Sequence, residues 1–187
     1  MPDSDKWEPL DSLGPTGSTV ARNIERLRKA RGLAFTELAS RLEKVGRAIP
    51  TLGLRKIESG GRRVDTDDLV ALALALNVSP ITLLIPPSDD NGVTVHVTSA
   101  SAAVTVEEFW EWLTANRPLP APSGAESEGD LWFGFVRNAW PAWRLRQVHA
   151  LLQREFDRTG EYRNPTRPIS PWFTDSDVER NLDGNDK

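Results

Sequence analysis

Cysteine is absent from this chain of 187 residues, and histidine occurs only twice, at His96 and His149. Without cysteine the chain can form no disulfide bond, no thiolate metal site and no iron–sulfur cluster. Two histidines so far apart in sequence are a poor basis for a zinc site, whose ligands usually cluster. We therefore predict that the protein binds no metal and needs no cofactor.

Long hydrophobic runs are also missing. No apolar stretch approaches the roughly 20 residues that a helix needs to cross a bilayer. The N-terminal stretch MPDSDKWEPLDSLGPTGS has neither the basic start nor the apolar core of a signal peptide. The sequence therefore predicts a cytoplasmic protein that does not contact a membrane.

The net charge of −4 argues at first against a polyanionic partner such as a nucleic acid. The charges are segregated, however. Residues 19–87 contain 12 Lys or Arg against 7 Asp or Glu, whereas the remainder contains 11 basic and 20 acidic residues. A basic segment within an acidic chain is typical of a protein with one face for nucleic acid.

Residues 19–87 show the apolar periodicity of five short helices. The first three predicted helices each end at a glycine, a residue that suits the left-handed conformation of a helix C-terminal cap. These glycines are Gly32, Gly46 and Gly60. Asp65 and Ser79 are predicted to be the N-caps of the fourth and fifth helices. The pattern predicts a compact all-α domain over 19–87, and the polar residues 1–18 are predicted to be a disordered leader.

The segment 92–160 is richer in tryptophan and differs in pattern. VTVHVT alternates polar and apolar residues, which predicts a short strand that extends into a hairpin with AAVTV. Thr105 and Glu108 have the spacing of a capping box, which predicts that a helix starts there. Its predicted apolar positions are Phe109, Trp110 and Leu113.

Residues 131 to about 158 are predicted to be helical, with an interruption or a start near Pro141. The predicted apolar positions of this segment are Trp140, Trp143, Leu145, Val148, Leu151, Leu152 and Phe156. The acidic, proline-containing residues 161–187 are predicted to be a tail. The predicted fold class is therefore mainly α, with a five-helix domain followed by a small Trp-rich region that contains a short strand or hairpin and one or two helices.

Four motifs in residues 20–85 point to one family: IERLRKARGL, FTELASRL, GLRKIESGGRR and DLVALALALNVSPITLL. Together they resemble the lambda-repressor-like, Cro-type helix-turn-helix regulators, often called xenobiotic-response-element regulators. The dipeptide IP before the third helix and RRVD after it are similar to the version common in actinomycete bacteria. The resemblance implies a transcriptional regulator whose second helix crosses the DNA backbone and whose third helix enters the major groove of double-stranded DNA.

The third predicted helix, about Thr51 to Ser59, carries the candidates for base contact. Pro50 suits a helix start because no hydrogen-bond donor is needed there, and Gly53 removes a side chain where the backbone approaches another surface. The candidates for contact are Thr51, Leu52, Arg55 and Lys56. Arginine can bind guanine in a bidentate manner, lysine more often contacts phosphate, and leucine can touch a thymine methyl group. Two structural alternatives stay open: Gly53 can serve close packing of the third helix on the second, and Leu52 can belong to the core.

The resemblance also implies roles for residues outside the third helix. Arg62 and Arg63 lie in the loop that family members place against the phosphate backbone, and Arg47, in the preceding turn, is a further candidate for phosphate contact. Arg28 and Glu58 occupy positions at which the family often joins the first and third helices through a partly buried ion pair. We predict a structural role for that pair.

The chain departs from the family pattern at two places. The turn EKVGRAIP between the second and third helices is several residues longer than the usual connection, so the tilt of the third helix does not follow from the resemblance. Family members commonly have a DNA-contacting glutamine where this chain has Phe35, which is predicted to be structural or to contact sugar and methyl groups.

The second half of the chain contains no comparable motif. Five of the seven tryptophans fall between Trp110 and Trp143, which fits a small aromatic core, a ligand pocket or a dimer surface. The region is therefore predicted to serve homodimerisation or to bind a protein partner. One alternative is an interaction adaptor or antitoxin-like protein in which DNA binding is secondary, and another is a ligand sensor. No nucleophile with a base at motif spacing is present, so we predict that the protein is not an enzyme and has no catalytic residues.

Overall fold

The computed structural model describes residues 12–100, 102–119 and 128–159. Within these residues the chain forms eight helices and two very short strands. In chain order they are α1 Pro15–Ala30, α2 Phe35–Lys44, α3 Thr51–Glu58, α4 Thr66–Ala75, α5 Pro80–Leu84, β1 Thr94–Val95, β2 Val104–Thr105, α6 Val106–Leu113, α7 Glu128–Ala139 and α8 Ala142–Thr159. The prediction of a mainly α protein is confirmed. The predicted tail, 161–187, and the first eleven residues of the predicted leader lie outside the described residues.

The five helices α1–α5 enclose one hydrophobic core. Helix α1 packs against α3 and α5, and α2 packs against α3 and α4. The buried side chains of this core are Val20, Ile24, Leu27, Leu33, Leu38, Leu42, Ile49, Leu54, Ile57, Ala71, Leu72, Ala73, Ala75, Leu76 and Leu83. Helices α2–α5 have ten residues or fewer and are too short to be stable in isolation, so this shared burial is what keeps them folded.

The helix ends follow the capping residues predicted from the sequence. Gly46 and Gly60 adopt φ values of +83° and +79°, and their N–H groups donate to carbonyl oxygens of the last turns of α2 and α3. The side chain of Asp65 accepts from the N–H of Asp68 at the start of α4, 2.7 Å away. Ser79 caps α5 in the same way. The connections on both sides of α3 are therefore defined by local chemistry.

Helix α1 begins four residues earlier than the sequence predicted. Pro15 occupies the first turn, where its fixed φ suits a helix and its missing N–H costs nothing. The buried hydroxyl of Ser18 donates to the carbonyl of Gly14, 3.1 Å away. Residues 15–18, assigned to the leader from their composition, are therefore helical.

The hairpin and α6 group with the first five helices rather than with the rest of the Trp-rich region. Contacts divide the described chain into two compact units between Leu113 and Thr114. Strands β1 and β2 pair antiparallel, and the capping box of α6 forms with Glu108 N–H to Thr105 Oγ1 at 3.1 Å. Phe109 is buried as predicted, whereas Trp110 is 49% exposed and does not belong to the apolar face assigned to it.

The second unit contains α7 and α8, which are separated at Trp140 and Pro141 as the sequence suggested. Trp140 is buried together with Val136 and Val148, and its indole N–H donates to the carbonyl of Ala115. Trp143 is 54% exposed and does not belong to this buried cluster. Among the described residues, no helix combines the length and the apolar character that a bilayer crossing requires.

Candidate nucleic-acid interface

Helix α3 has one buried face and one exposed face. Leu54 and Ile57 are fully buried in the core. On the opposite side Leu52 is 62% exposed, and Arg55 and Lys56 are exposed as well. Residues 52, 55 and 56 share one face because their spacing is three or four. The open question about Leu52 is therefore answered by the packing: its side chain is not part of the core. The remaining candidate in this helix, Thr51, is half-buried in the first turn.

Arg55 is oriented by the ring of Phe35, the first residue of α2. The guanidinium carbon of Arg55 lies 4.6 Å from the ring centroid, within the range of a cation–π contact. Phe35 is half-buried and packs against the core of α1–α5. Phe35 therefore has a structural role here. It restricts the orientations available to an exposed arginine.

Arg28 and Glu58 form a largely buried ion pair, as the resemblance implied. Nε and Nη2 of Arg28 lie 2.6 and 2.7 Å from the two carboxylate oxygens of Glu58, and Nη1 donates to the carbonyl of Leu33. The Arg28 guanidinium also lies 4.0 Å from the Phe35 ring centroid. Hydrogen bonding with Glu58 raises the pKa of Arg28 above its ordinary value. The end of α3 is thereby attached to α1 through two parallel, directional bonds.

Three exposed cations near α3 have no carboxylate partner in the part of the chain that the structure describes. They are Arg55, Lys56 and Arg63. Five other basic groups of this unit pair with carboxylates, as in the surface pair of Arg41 and Glu37. Positive charge that is not balanced locally is what attracts a phosphate backbone. Helix α3 and its exit loop therefore carry three cations that no carboxylate of the described residues balances.

Arg47 and Arg62, both predicted to contact phosphate, lie in an ion network inside the unit. Nε of Arg47 is 2.8 Å from Oδ1 of Asp68, and Nη2 of Arg62 is 2.7 Å from Oδ2 of the same carboxylate. Nη2 of Arg47 also donates to Asp65, 2.9 Å away. Asp68 is only 1% exposed, so it depends on these partners. Both arginines thus have a structural function that the sequence did not indicate.

Gly53 packs closely against neighbouring residues of its own chain. A Cβ atom built on Gly53 would lie 2.9 Å from Nη1 of Arg62 and 3.1 Å from Cγ2 of Ile49. Both distances are shorter than ordinary van der Waals contact. The glycine therefore leaves room for the Arg62 side chain. These contacts support the packing alternative for this glycine, with the exit loop and the preceding turn as its neighbours rather than α2.

Asp68 is the residue of this region that sequence reasoning missed. The sequence showed it only as a second acid in the first turn of α4, where the helix dipole favours negative charge. An indication was available, since a carboxylate four residues before Leu72 falls on the buried face of an apolar helix. Its partners come from loops 21 and 6 residues away, and no sequence pattern specifies such pairings.

No protein-family model, curated protein or solved structure matches this chain. The resemblance to Cro-type helix-turn-helix regulators accordingly stays a prediction from the motifs.

Proposed function

We propose that the protein is a sequence-specific DNA-binding transcriptional regulator, with α2 and α3 as a helix-turn-helix and α3 as the helix that enters the major groove. The observation that carries this proposal is the exposed face of α3. It combines Leu52, Arg55 and Lys56 on a helix whose other face is fully buried. An apolar residue beside two unpaired cations is poorly explained by solubility alone, and it matches the chemistry of base edges and phosphates.

Each exposed side chain has a role that its chemistry suits. Arg55, held against Phe35, is the residue that we assign to a guanine edge, because a guanidinium can donate to O6 and N7 together. Lys56 and Arg63 are assigned to phosphates, which fix the register of the protein on the duplex. Leu52 is assigned to a thymine methyl group. The Arg28–Glu58 pair supports this surface without contacting DNA.

We further expect two copies to bind one pseudo-palindromic site. One α3 of eight residues reaches only a few base pairs, so a single copy offers limited discrimination. Two half-sites about one helical turn apart would place both α3 helices in the major groove on one side of the duplex. The spacing of half-sites in a selected sequence therefore reports on dimerisation.

The test is selection of bound sequences from a pool of random duplexes at near-physiological salt, with wild type and the double variant Arg55→Ala, Lys56→Ala in parallel. The matched control is Arg137→Ala, Arg146→Ala, which removes the same charge from exposed positions of the second unit. Wild type and the control should enrich one motif, and the α3 variant should lose it. Enrichment of the same motif by the α3 variant would refute the assignment of α3.

A second candidate function is binding of a protein partner, the adaptor alternative. The observation in its favour is that Trp110, Trp112 and Trp143 are 49%, 37% and 54% exposed, and tryptophan is enriched at protein interfaces. Under this hypothesis Trp143→Ala abolishes the function of the protein in cells but leaves its selection of duplex sequences unchanged. The double variant Arg55→Ala, Lys56→Ala would then retain the function in cells.

A further inference from the structure

Asp68 joins two separate loops through one buried carboxylate. Its Oδ1 accepts from Nε of Arg47 at 2.8 Å, and its Oδ2 accepts from Nη2 of Arg62 at 2.7 Å. Its own N–H donates to Oδ1 of Asp65. Both carboxylate oxygens are thus occupied by guanidinium groups, as a buried charge requires.

The two arginines belong to the two connections that flank α3. Arg47 lies in the segment 45–50 between α2 and α3, and Arg62 lies in the segment 59–65 between α3 and α4. Arg62 also approaches the first turn of α3, because its Nη1 lies next to Gly53. One side chain of α4 therefore fixes the segments that enter and leave α3.

Helix α3 needs such support because it has only eight residues. A helix of this length is unstable by itself. Its N-cap, Pro50, offers no side-chain hydrogen bond to the first turn. Burial of Leu54 and Ile57 determines which face points inward, but hydrophobic contact is not directional. Directional bonds at both ends are what can restrict the tilt of the helix.

Electrostatics favours retention of these pairs when DNA is bound. The charges of Arg47 and Arg62 are balanced by those of Asp65 and Asp68. Hydrogen bonding with Asp68 raises the pKa of Arg47 above its ordinary value. Movement of either arginine to a phosphate would remove a partner from a buried carboxylate, which is unfavourable.

We propose that Asp68 is a positioning residue for DNA recognition, and that Arg47 and Arg62 remain on Asp68 in the complex instead of contacting phosphate. This inference rests on the proposed function. The connection 45–50 between α2 and α3 contains no helix or strand, so the bonds from Asp68 help to set the tilt of α3. The phosphates are then contacted by Lys56 and Arg63.

The test compares Asp68→Asn with Asp65→Asn. Each variant removes one negative charge, and Asn at position 65 preserves the N-cap of α4. On the duplex that wild type selects, Asp68→Asn should bind about tenfold more weakly, roughly the loss of one base contact. Its binding to a scrambled duplex should not weaken. Asp65→Asn should stay within about twofold of wild type on both, because the pair that it breaks is exposed.

The two duplexes separate positioning from mere stability. A variant that only unfolds in part would lose binding to both duplexes equally, whereas a tilted α3 lowers the ratio of specific to scrambled binding. An unchanged ratio in folded Asp68→Asn overturns the inference while the proposed function stands. Failure of wild type to select any motif refutes the proposed function itself.

The salt dependence of DNA binding shows whether Arg47 and Arg62 contact phosphate. This measurement can be made even if Asp68→Asn does not fold. The slope of log K against log salt is measured between about 50 and 200 mM salt for Arg47→Ala, Arg62→Ala and the control Arg63→Ala. Loss of one phosphate contact reduces the slope by about 0.9, which is expected for Arg63→Ala. Arg47→Ala and Arg62→Ala should bind more weakly with an unchanged slope. A slope reduced as in the control would show a phosphate contact and overturn the inference.

Discussion

Replacement of Glu58 by glutamine tests how strongly α3 is attached to α1. The substitution keeps the shape of the side chain and removes the charge that Arg28 faces. The two side chains are only 11% and 7% exposed, so water cannot replace the lost carboxylate. Arg28 would retain the carbonyl of Leu33 and the ring of Phe35, which compensate only in part for a buried cation.

The expected loss follows from the geometry. Unit charges about 4 Å apart attract by about 4 kcal/mol at the effective dielectric constant near a protein surface. Glutamine can still accept one hydrogen bond, and the cost of burying the Glu58 carboxylate disappears with its charge. We therefore expect a decrease of about 3 kcal/mol in the free energy of unfolding. For a unit of this size that lowers Tm by on the order of 15 °C.

The assay is urea unfolding of the full chain followed by circular dichroism, with Glu37→Gln as the matched control. Glu37 pairs with Arg41 across one helical turn, and the two side chains are 52% and 40% exposed, so this control should lose at most about 0.5 kcal/mol. An arginine stays protonated throughout this range with or without the Glu58 charge, so the loss should be equal at neutral and mildly alkaline pH. Equal losses in the two variants, or a loss below about 1 kcal/mol for Glu58→Gln, would refute the reasoning.

Three further predictions concern packing. Leu38→Ala, at a fully buried position, should cost about 3 kcal/mol in chemical unfolding, whereas Leu74→Ala, 62% exposed, should change stability by less than about 0.5 kcal/mol; similar losses would contradict the assigned core. Gly53→Ala should raise the free energy of unfolding by less than the roughly 1 kcal/mol expected from alanine's higher helix propensity, because the added methyl group meets Arg62. The increase should be larger when Arg62→Ala is also present. An equal gain in both backgrounds would argue against the contact. Trp140→Phe removes the hydrogen bond of the indole N–H and should lower the free energy of unfolding by about 1 kcal/mol. An unchanged stability would argue against this hydrogen bond.

Local chemistry made several elements predictable. The positions of Gly46 and Gly60 marked the ends of α2 and α3, and Asp65 marked the start of α4, because caps depend on residues close in sequence. The pair of Arg28 and Glu58 was predicted through the resemblance, since residue spacing alone does not show that two helices meet.

Errors arose where composition was taken for structure. The start of α1 looked like a polar leader, but Pro15 and the buried Ser18 belong to the helix. Residues 69–75 of α4 are all apolar, yet Val70 and Leu74 are 46% and 62% exposed. Trp110 is 49% exposed as well, because hydrophobicity alone does not determine which side of a helix is buried.

The sequence by itself determined the helices of the first unit, most of their ends, the segregation of positive charge and the set of residues on α3. Only the tertiary structure decided which cations are free for a partner. Arg47, Arg62 and Arg63 look alike in sequence, but two of them meet a buried carboxylate and one does not. The physical reason is that pairing of a charge depends on distance in space, and the loops that bring Arg47 and Arg62 to Asp68 are placed by the burial of the whole helical core.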